Sequence, residues 1–401
     1  MLIATTKNGL LFSLANQKDR PFLLKLRQSE EFFCPCCNEK VVLKLGTKRI
    51  FHFSHQRGSE CRFQMEPETE YHLAGKLQLY YWLQQQHVNP LLEPYEKKIQ
   101  QRPDLLFTYR NRTYVIEYQC SPISEQLFMK RTKQYILHGY NPIWVIGAKQ
   151  IKRKSGRSYS LSNFQSMFLA EILKKQWIIR SYCPDTAHFI TLHQILPLSI
   201  RNVLANIDIA KASKMSIQTM LSPHFKAPPF AREWLASLQT YKKNMLHSPT
   251  AYKNPIIQEL YQHGETLTSL PPEIGLPVPS APLVYSPPII WQIYLYLDLL
   301  KEKQINDLIY VQDVYEVFKR RLVKGDIKIR KIPFYSTSHY LEVIKEYIHL
   351  LEKVDVLKKL ATDTFKVKRK IIALKEKERQ FNDDYYETMI NDHFISIRER
   401  S

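Results

Sequence analysis

Cysteine and histidine cluster near the start of the chain. Cys34, Cys36, Cys37 and Cys61 fall within 28 residues, with His52 and His55 between them, in the text FFCPCCNEKVVLKLGTKRIFHFSHQRGSEC. Cys34 and Cys37 form a CxxC knuckle, a spacing at which two thiolates can face one ion while N–H groups of the turn support them. A tetrahedral site needs four ligands, and His52, His55 and Cys61 compete for the two remaining places. The favoured set is Cys34, Cys37, His55 and Cys61, with His52 as the substitute. The chemistry is that of structural Zn²⁺: a closed site holding together a module too small for its own core. Grouped cysteines with nearby histidines read as metal binding rather than as a disulfide framework.

A second constellation is acidic. Asp104 follows Pro103, and Glu117-Tyr118-Gln119 comes after twelve intervening residues. The run TYVIEYQ reads as a strand, and alternation places Val115, Glu117 and Gln119 on one face and Tyr114, Ile116 and Tyr118 on the other. Residues 104–110 form its hairpin partner about a turn at Asn111-Arg112. A hairpin so centred sets Asp104 opposite Gln119 and within reach of Glu117, so the carboxylates converge at one end of the pair.

The elements that position these acids follow in order. Residues 66–86 read as a helix, with Pro67 in its first turn and Glu66, Glu68 and Glu70 near the positive end of its dipole. Glu70, Leu73, Leu77 and Tyr80 share a stripe, which points Glu70 inward. Residues 90–99 read as a strand, residues 125–138 as a helix carrying Arg131 and Tyr135 at i, i+4, and Asn141–Gly147 as a short buried strand. The order is helix, three strands, helix, strand. Three regions result: a zinc-binding module at 1–64, the acidic α/β unit at 65–150, and a basic, mainly helical region at 151–401. The last is broken by residues 271–288, which hold seven of the 23 prolines. Such density forbids regular helix and central strand, leaving an extended linker or an ordered strap. The next helix has Ser286 as its cap candidate, then Pro287 and Pro288.

Composition bounds the function. With 401 residues and 44% apolar content, a sizeable core is available and a wholly disordered chain is excluded. Only ten glycines argue against a Gly-rich nucleotide-cradling enzyme. No apolar run is long enough to span a membrane and no secretory signal is evident, so a cytoplasmic protein is expected. Lys and Arg number 58 against 38 Asp and Glu, a net charge of +20, which suits a polyanion, nucleic acid first. Basic clusters occur at Lys152-Arg153-Lys154, around Lys319-Arg320-Arg321, and at Lys368-Arg369-Lys370 in an expected helix. Aromatic residues lie among them, including Phe318, Phe334, Tyr335 and Phe365. Rings that stack on bases beside cations that track the backbone suit single-stranded DNA.

Pro103-Asp104, Glu117-Tyr118-Gln119 and Glu70 on the preceding helix resemble the PD-(D/E)xK nuclease superfamily. The resemblance is closer still to the competence protein CoiA family. It rests on the CPxC…HFxH…C region, Glu70-Tyr71-His72 with Lys76, the RPD and EYQCSPIS segments, and the RTxxY…PIWVIG stretch. It implies an α/β restriction-endonuclease-like core (αβββαβ) and phosphodiester hydrolysis with Mg²⁺ or Mn²⁺. Asp104 and Glu117 would bind the ion, helped by the Tyr118 carbonyl and Glu70. Gln119, in place of the usual lysine, would orient water without bringing charge, and Lys76 could stand in as the cation. His72, Lys76 and Arg131 are candidates for phosphate contact. The implied role is processing single-stranded DNA during transformation and recombination, with a recombinase or other uptake proteins as partners. The alternative is a DNA-binding recombination accessory that cuts weakly or not at all.

Overall fold

The computed structural model describes residues 1–399 except 48, 60, 62–67, 174, 227, 334–339 and 373–375; for 173, 376–382 and 396–399 only the backbone is described. Glu66, Pro67, Phe334 and Tyr335 therefore lie outside the described residues.

The N-terminal module is a five-stranded antiparallel sheet in the spatial order Leu11–Ser13, Ile3–Thr6, Phe32–Phe33, Lys40–Lys44, His52–His55. The hairpin expected at the Cys/His cluster is present, paired Val41 to His55 and Lys44 to His52. Phe32, Val41, Leu43 and Phe53 form its buried centre with Leu23 of the Arg20–Ser29 helix. That helix lacks a long apolar stripe and reads poorly from sequence. It is set by Asp19, whose side chain accepts from Phe22 N, and by proline in the first turn.

The second unit runs in the expected sequence of elements: helix Glu70–Gln85, strands Leu91–Leu92, Leu105–Tyr109 and Arg112–Gln119, helix Glu125–Leu137, strand Asn141–Gly147. Ser124 caps the second helix by accepting from Leu127 N. The strand expected at 90–99 shrinks to two residues, because Glu93 adopts φ 47° and Pro94 follows. The hairpin turn sits at Arg110-Asn111, both left-handed at φ 48° and 60°, the conformation that two-residue hairpins require. Its register pairs Leu105 with Ile116, so continuing it places Asp104 opposite Glu117 rather than Gln119.

The sheet does not stop at residue 150. Gln176–Cys183 joins the far side of Asn141–Gly147 in parallel, then His188–Pro197, Asn202–Lys211, Ser158–Ser160 and Lys152–Ser155 extend the row, and Ala170–Leu173, paired with Gln176–Cys183, completes ten strands. Strands, not helices, thus occupy most of 152–211, and the mainly helical part starts only after them. Lys152, Arg153 and Lys154 form an exposed edge strand, where charge also blocks edge-to-edge pairing.

The remaining chain packs helices around a small antiparallel sheet of Leu308–Tyr310, Leu357–Ala361 and Thr364–Val367. The basic run at 366–370 is the end of a strand and the coil after it, not a helix. The proline-rich segment is a strap buried along most of its length. Its polar backbone is answered from inside: Ser280 N and Oγ donate to Glu346 at 2.7 and 2.6 Å, and the Gln292 amide binds Gly275 N and Leu276 O at 2.6 and 2.8 Å. Ser286 does not cap the following helix; it accepts from Lys328 N at 2.9 Å.

Candidate active site and metal centre

The Cys/His centre assembles as the knuckle spacing requires. Cys34 and Cys37 flank the turn after Phe33, and the paired strands return His55 to it. Ligand atoms of Cys34, Cys37, His55 and Cys61 all lie within 4.8 Å of one another, with Cys37 Sγ 3.3 Å from His55 Nε2. Cys36 N donates to Cys34 Sγ at 3.4 Å, the support expected for a knuckle thiolate. Hydrogen bonding from Cys36 lowers the Cys34 thiol to about 4 against the opposing effect of burial. Three sulfurs and one imidazole nitrogen within one coordination radius fit a tetrahedral metal. His52, the substitute, is turned away: its Nδ1 meets Ile50 O at 2.9 Å.

The acidic centre is built around a cation that periodicity did not reveal. Lys76 lies on the buried stripe of the Glu70–Gln85 helix with Leu73, Leu79 and Leu83. It is wholly buried, which removes it from the surface set expected to touch phosphate. Its ammonium pairs with Glu68 and Glu93 and lies 3.4 Å from Asp104 Oδ1. Glu93 also accepts Leu2 N at 2.7 Å and Ile3 N at 3.3 Å, and the Met1 amino group pairs with Glu68. The N-terminal sheet is thereby fastened to the site. Arg102 is half-buried, and although desolvation would lower its pKa, the charges of Glu93 and Glu68 raise it.

Asp104 accepts the N–H of Tyr118 at 2.8 Å and lies 3.6 Å from His72 Nε2. Burial alone would raise its pKa, but Lys76, His72 and the Tyr118 N–H hold it well below the usual carboxylate range. Ligand atoms of Glu68, His72 and Asp104 lie within 4.8 Å of one another. Beyond that 3.6 Å contact, His72 Nε2 is buried with no hydrogen-bond partner among the described residues, a nitrogen that a metal would satisfy. Two carboxylates and one imidazole suit a divalent transition ion such as Mn²⁺; Mg²⁺, which prefers oxygen alone, would use the carboxylates.

Glu117 is 2% exposed and engages Arg131 and Tyr135. Burial pushes its pKa up to about 7, Arg131 opposes this, and the Asp104 charge adds to it. Gln119 is buried at the strand end, its amide donating to Ser121 O at 2.8 Å. Arg131 is bound to Glu117 and lies 5.5 Å over the Trp144 ring.

Glu70 is the exception among the expected acids. It is exposed at the first helical residue, while Glu68, just before the Thr69 cap, turns in to Lys76. No sequence periodicity marks Glu68 or Glu93 as a site residue. The available signal for Glu93 was an acid set between Leu92 and Pro94. Of the distant basic residues, Arg369 pairs with the buried Glu273 at 2.6 Å and Lys368 with the exposed Asp355 at 2.5 Å.

Comparison with known proteins agrees with these divisions. Residues 15–64 match the family model described as competence protein CoiA, N-terminal domain; residues 68–225 its nuclease-like domain; and residues 230–389 its C-terminal domain. The nuclease-like match spans the whole ten-stranded sheet. A competence protein CoiA from Bacillus subtilis (strain 168) is 29% identical over 361 residues, covering 89% of this chain and 92% of that protein. No solved structure matches. No helix among the described residues is long and apolar enough to cross a membrane. With three consecutive domain matches laid over the metal-ligand module, the mixed sheet and the helical part, the chain belongs to the competence protein CoiA family.

Proposed function

We propose that this protein is a metal-dependent nuclease that processes DNA, single-stranded DNA foremost, during transformation and recombination. The carrying observation is the convergence of Glu68, His72 and Asp104 at the end of the hairpin, with Glu117 opposite Asp104. Glu68, His72 and Asp104 would hold Mg²⁺ or Mn²⁺, joined by Glu117 once it is ionised. The bound ion would supply charge for the scissile phosphate and a lowered pKa for its water. Gln119 would orient that water by hydrogen bonding. Lys76, at 3.4 Å from Asp104, supplies the positive charge that Gln119 lacks. Zn²⁺ at Cys34, Cys37, His55 and Cys61 would hold the N-terminal sheet against the site. The net charge of +20 favours a polyanionic substrate, and the relative's name places that protein in competence.

The test is degradation of single- and double-stranded DNA with Mg²⁺ or Mn²⁺ by wild type and Asp104→Ala. Loss in the variant is expected; equal activity in both would signal contamination and defeat the claim. A second reading is a DNA-binding recombination accessory, acting with a recombinase, in which the acids are structural. It draws on the internal neutralisation of Asp104 by Lys76 and of Glu117 by Arg131. DNA binding with neither Mn²⁺ binding nor turnover would favour it.

A further inference from the structure

The added half of the sheet carries a polar row that the acidic site does not use. The registers set Ile178 beside His193 and His193 beside Asn206, and set Arg180 beside Thr191 and Thr191 beside Asp208. Tyr182 and Phe189 share this face two residues on, and they pack with Trp82 of the Glu70–Gln85 helix. The polar row therefore opens on the side of the sheet that this helix covers further along.

After the Ile217–Leu221 helix the chain crosses this face, and Phe225 stacks on His193 with ring centroids 4.2 Å apart and planes within 8°. Phe225 is half-buried. Beside it opens a cavity of about 370 Å³ lined by Arg153, Arg157, His193, Asn206 and Lys226. A smaller one of about 50 Å³ shares Phe225, His224 and Asp208 with it and reaches Arg180. Arg153 Nε donates to Gly156 O at 2.7 Å and Arg180 Nε to Met220 O at 3.2 Å. Among the described residues neither of these arginines, nor Lys226, has a carboxylate partner. Arg157 pairs with Glu233 at 2.9 Å, and Asp208 is the acid in the lining. Burial without a counter-charge lowers the Arg180 pKa to about 10, so an arriving anion would relieve it.

We infer that this groove binds single-stranded nucleic acid, with a base against Phe225 and backbone phosphates against Arg153, Lys226 and Arg180. The inference rests on the reading that the chain handles DNA, and it does not require cleavage. Uncompensated cations beside a braced aromatic ring are the pairing that unpaired nucleotides use. The larger cavity falls in the size range of small-ligand sites. Register links the groove to the acids: Tyr118 pairs with Val145, and Ser181 with Ile146. Arg180 thus continues the row of Tyr118, whose N–H holds Asp104, roughly 10 Å away at two strand spacings.

Binding of dye-labelled oligo(dT) by the full chain, without added divalent ion, tests this by fluorescence anisotropy. Arg153→Gln with Lys226→Gln, both exposed positions, should weaken binding and flatten its salt dependence. Phe225→Ala should weaken it about tenfold, and Phe225→Trp should restore it with tryptophan emission quenched by the oligonucleotide. If these variants bind as tightly as wild type, the groove assignment fails while the DNA reading stands. If wild type binds no oligonucleotide, both fail. A poly-glutamate peptide quenching Phe225→Trp as strongly as oligo(dT) would overturn the nucleic-acid assignment in favour of an acidic protein.

Discussion

The Lys76 ammonium lies 3.4 Å from Asp104 Oδ1 while pairing with Glu68 and Glu93. One internal cation therefore answers three carboxylates drawn from a helix entry, a broken strand and a hairpin start. An amine in a buried site is stable only with such partners.

Lys76→Met removes the cation shared by those three acids and leaves the Met1 amino group and Arg102 to answer them. The variant should lose roughly 3–5 kcal/mol of stability, the usual cost of removing one partner from a buried ion pair. Urea unfolding measures this. Mn²⁺ should return part of the loss if the acids hold a divalent ion, and no return would count against the metal reading.

Glu68 and Glu70 separate the two placements of the helix-entry acid. Glu68→Gln should abolish Mn²⁺-dependent cleavage and lower stability, since it removes a partner of Lys76. Glu70→Gln should leave cleavage within about twofold, because an exposed substitution away from special features changes little. Nuclease assays on the two variants decide it; the reverse order would restore Glu70 as the ligand.

Glu117 sets a pH dependence. Its folded pKa, about 7, lies above the ordinary 4.5. A raised pKa means the folded state holds the proton more tightly, so its contribution is complete below the ordinary value and is lost as pH rises to about 7. Urea unfolding of wild type should show this decline, and Glu117→Gln should flatten it. Cleavage should move oppositely, rising with pH as the carboxylate becomes free to meet a metal. Asp104, held low, contributes stability above its ordinary range and loses it only in acid.

The Cys/His centre predicts a split between two histidines. His55→Ala and Cys37→Ser should each lose about one equivalent of bound zinc and unfold the N-terminal sheet, whose small core cannot stand alone. His52→Ala should keep the metal. Metal analysis of purified protein checks all three, and full zinc content in His55→Ala would reassign the ligand.

The sequence by itself determined those features that follow from short-range chemistry. The knuckle spacing and the hairpin behind it picked out Cys34, Cys37, His55 and Cys61. Alternation along TYVIEYQ put Glu117 and Gln119 on one face, and the succession from the Glu70–Gln85 helix to the Asn141–Gly147 strand was legible from periodicity. Tertiary structure decided the rest. Left-handed backbone at Arg110 and Asn111 set the register that faces Asp104 with Glu117, and at Glu93 it ended a strand and turned an acid inward. Beyond residue 150, basic residues masked the edge strand Lys152–Ser155, while the interior strands Gln176–Cys183, His188–Pro197 and Asn202–Lys211 mix polar with apolar residues and join the sheet only through long-range pairing. The partners of Lys76 come from positions 8 to 28 residues away. A pattern with a period of two or 3.6 residues carries no information about such meetings, because they depend on how whole elements are packed.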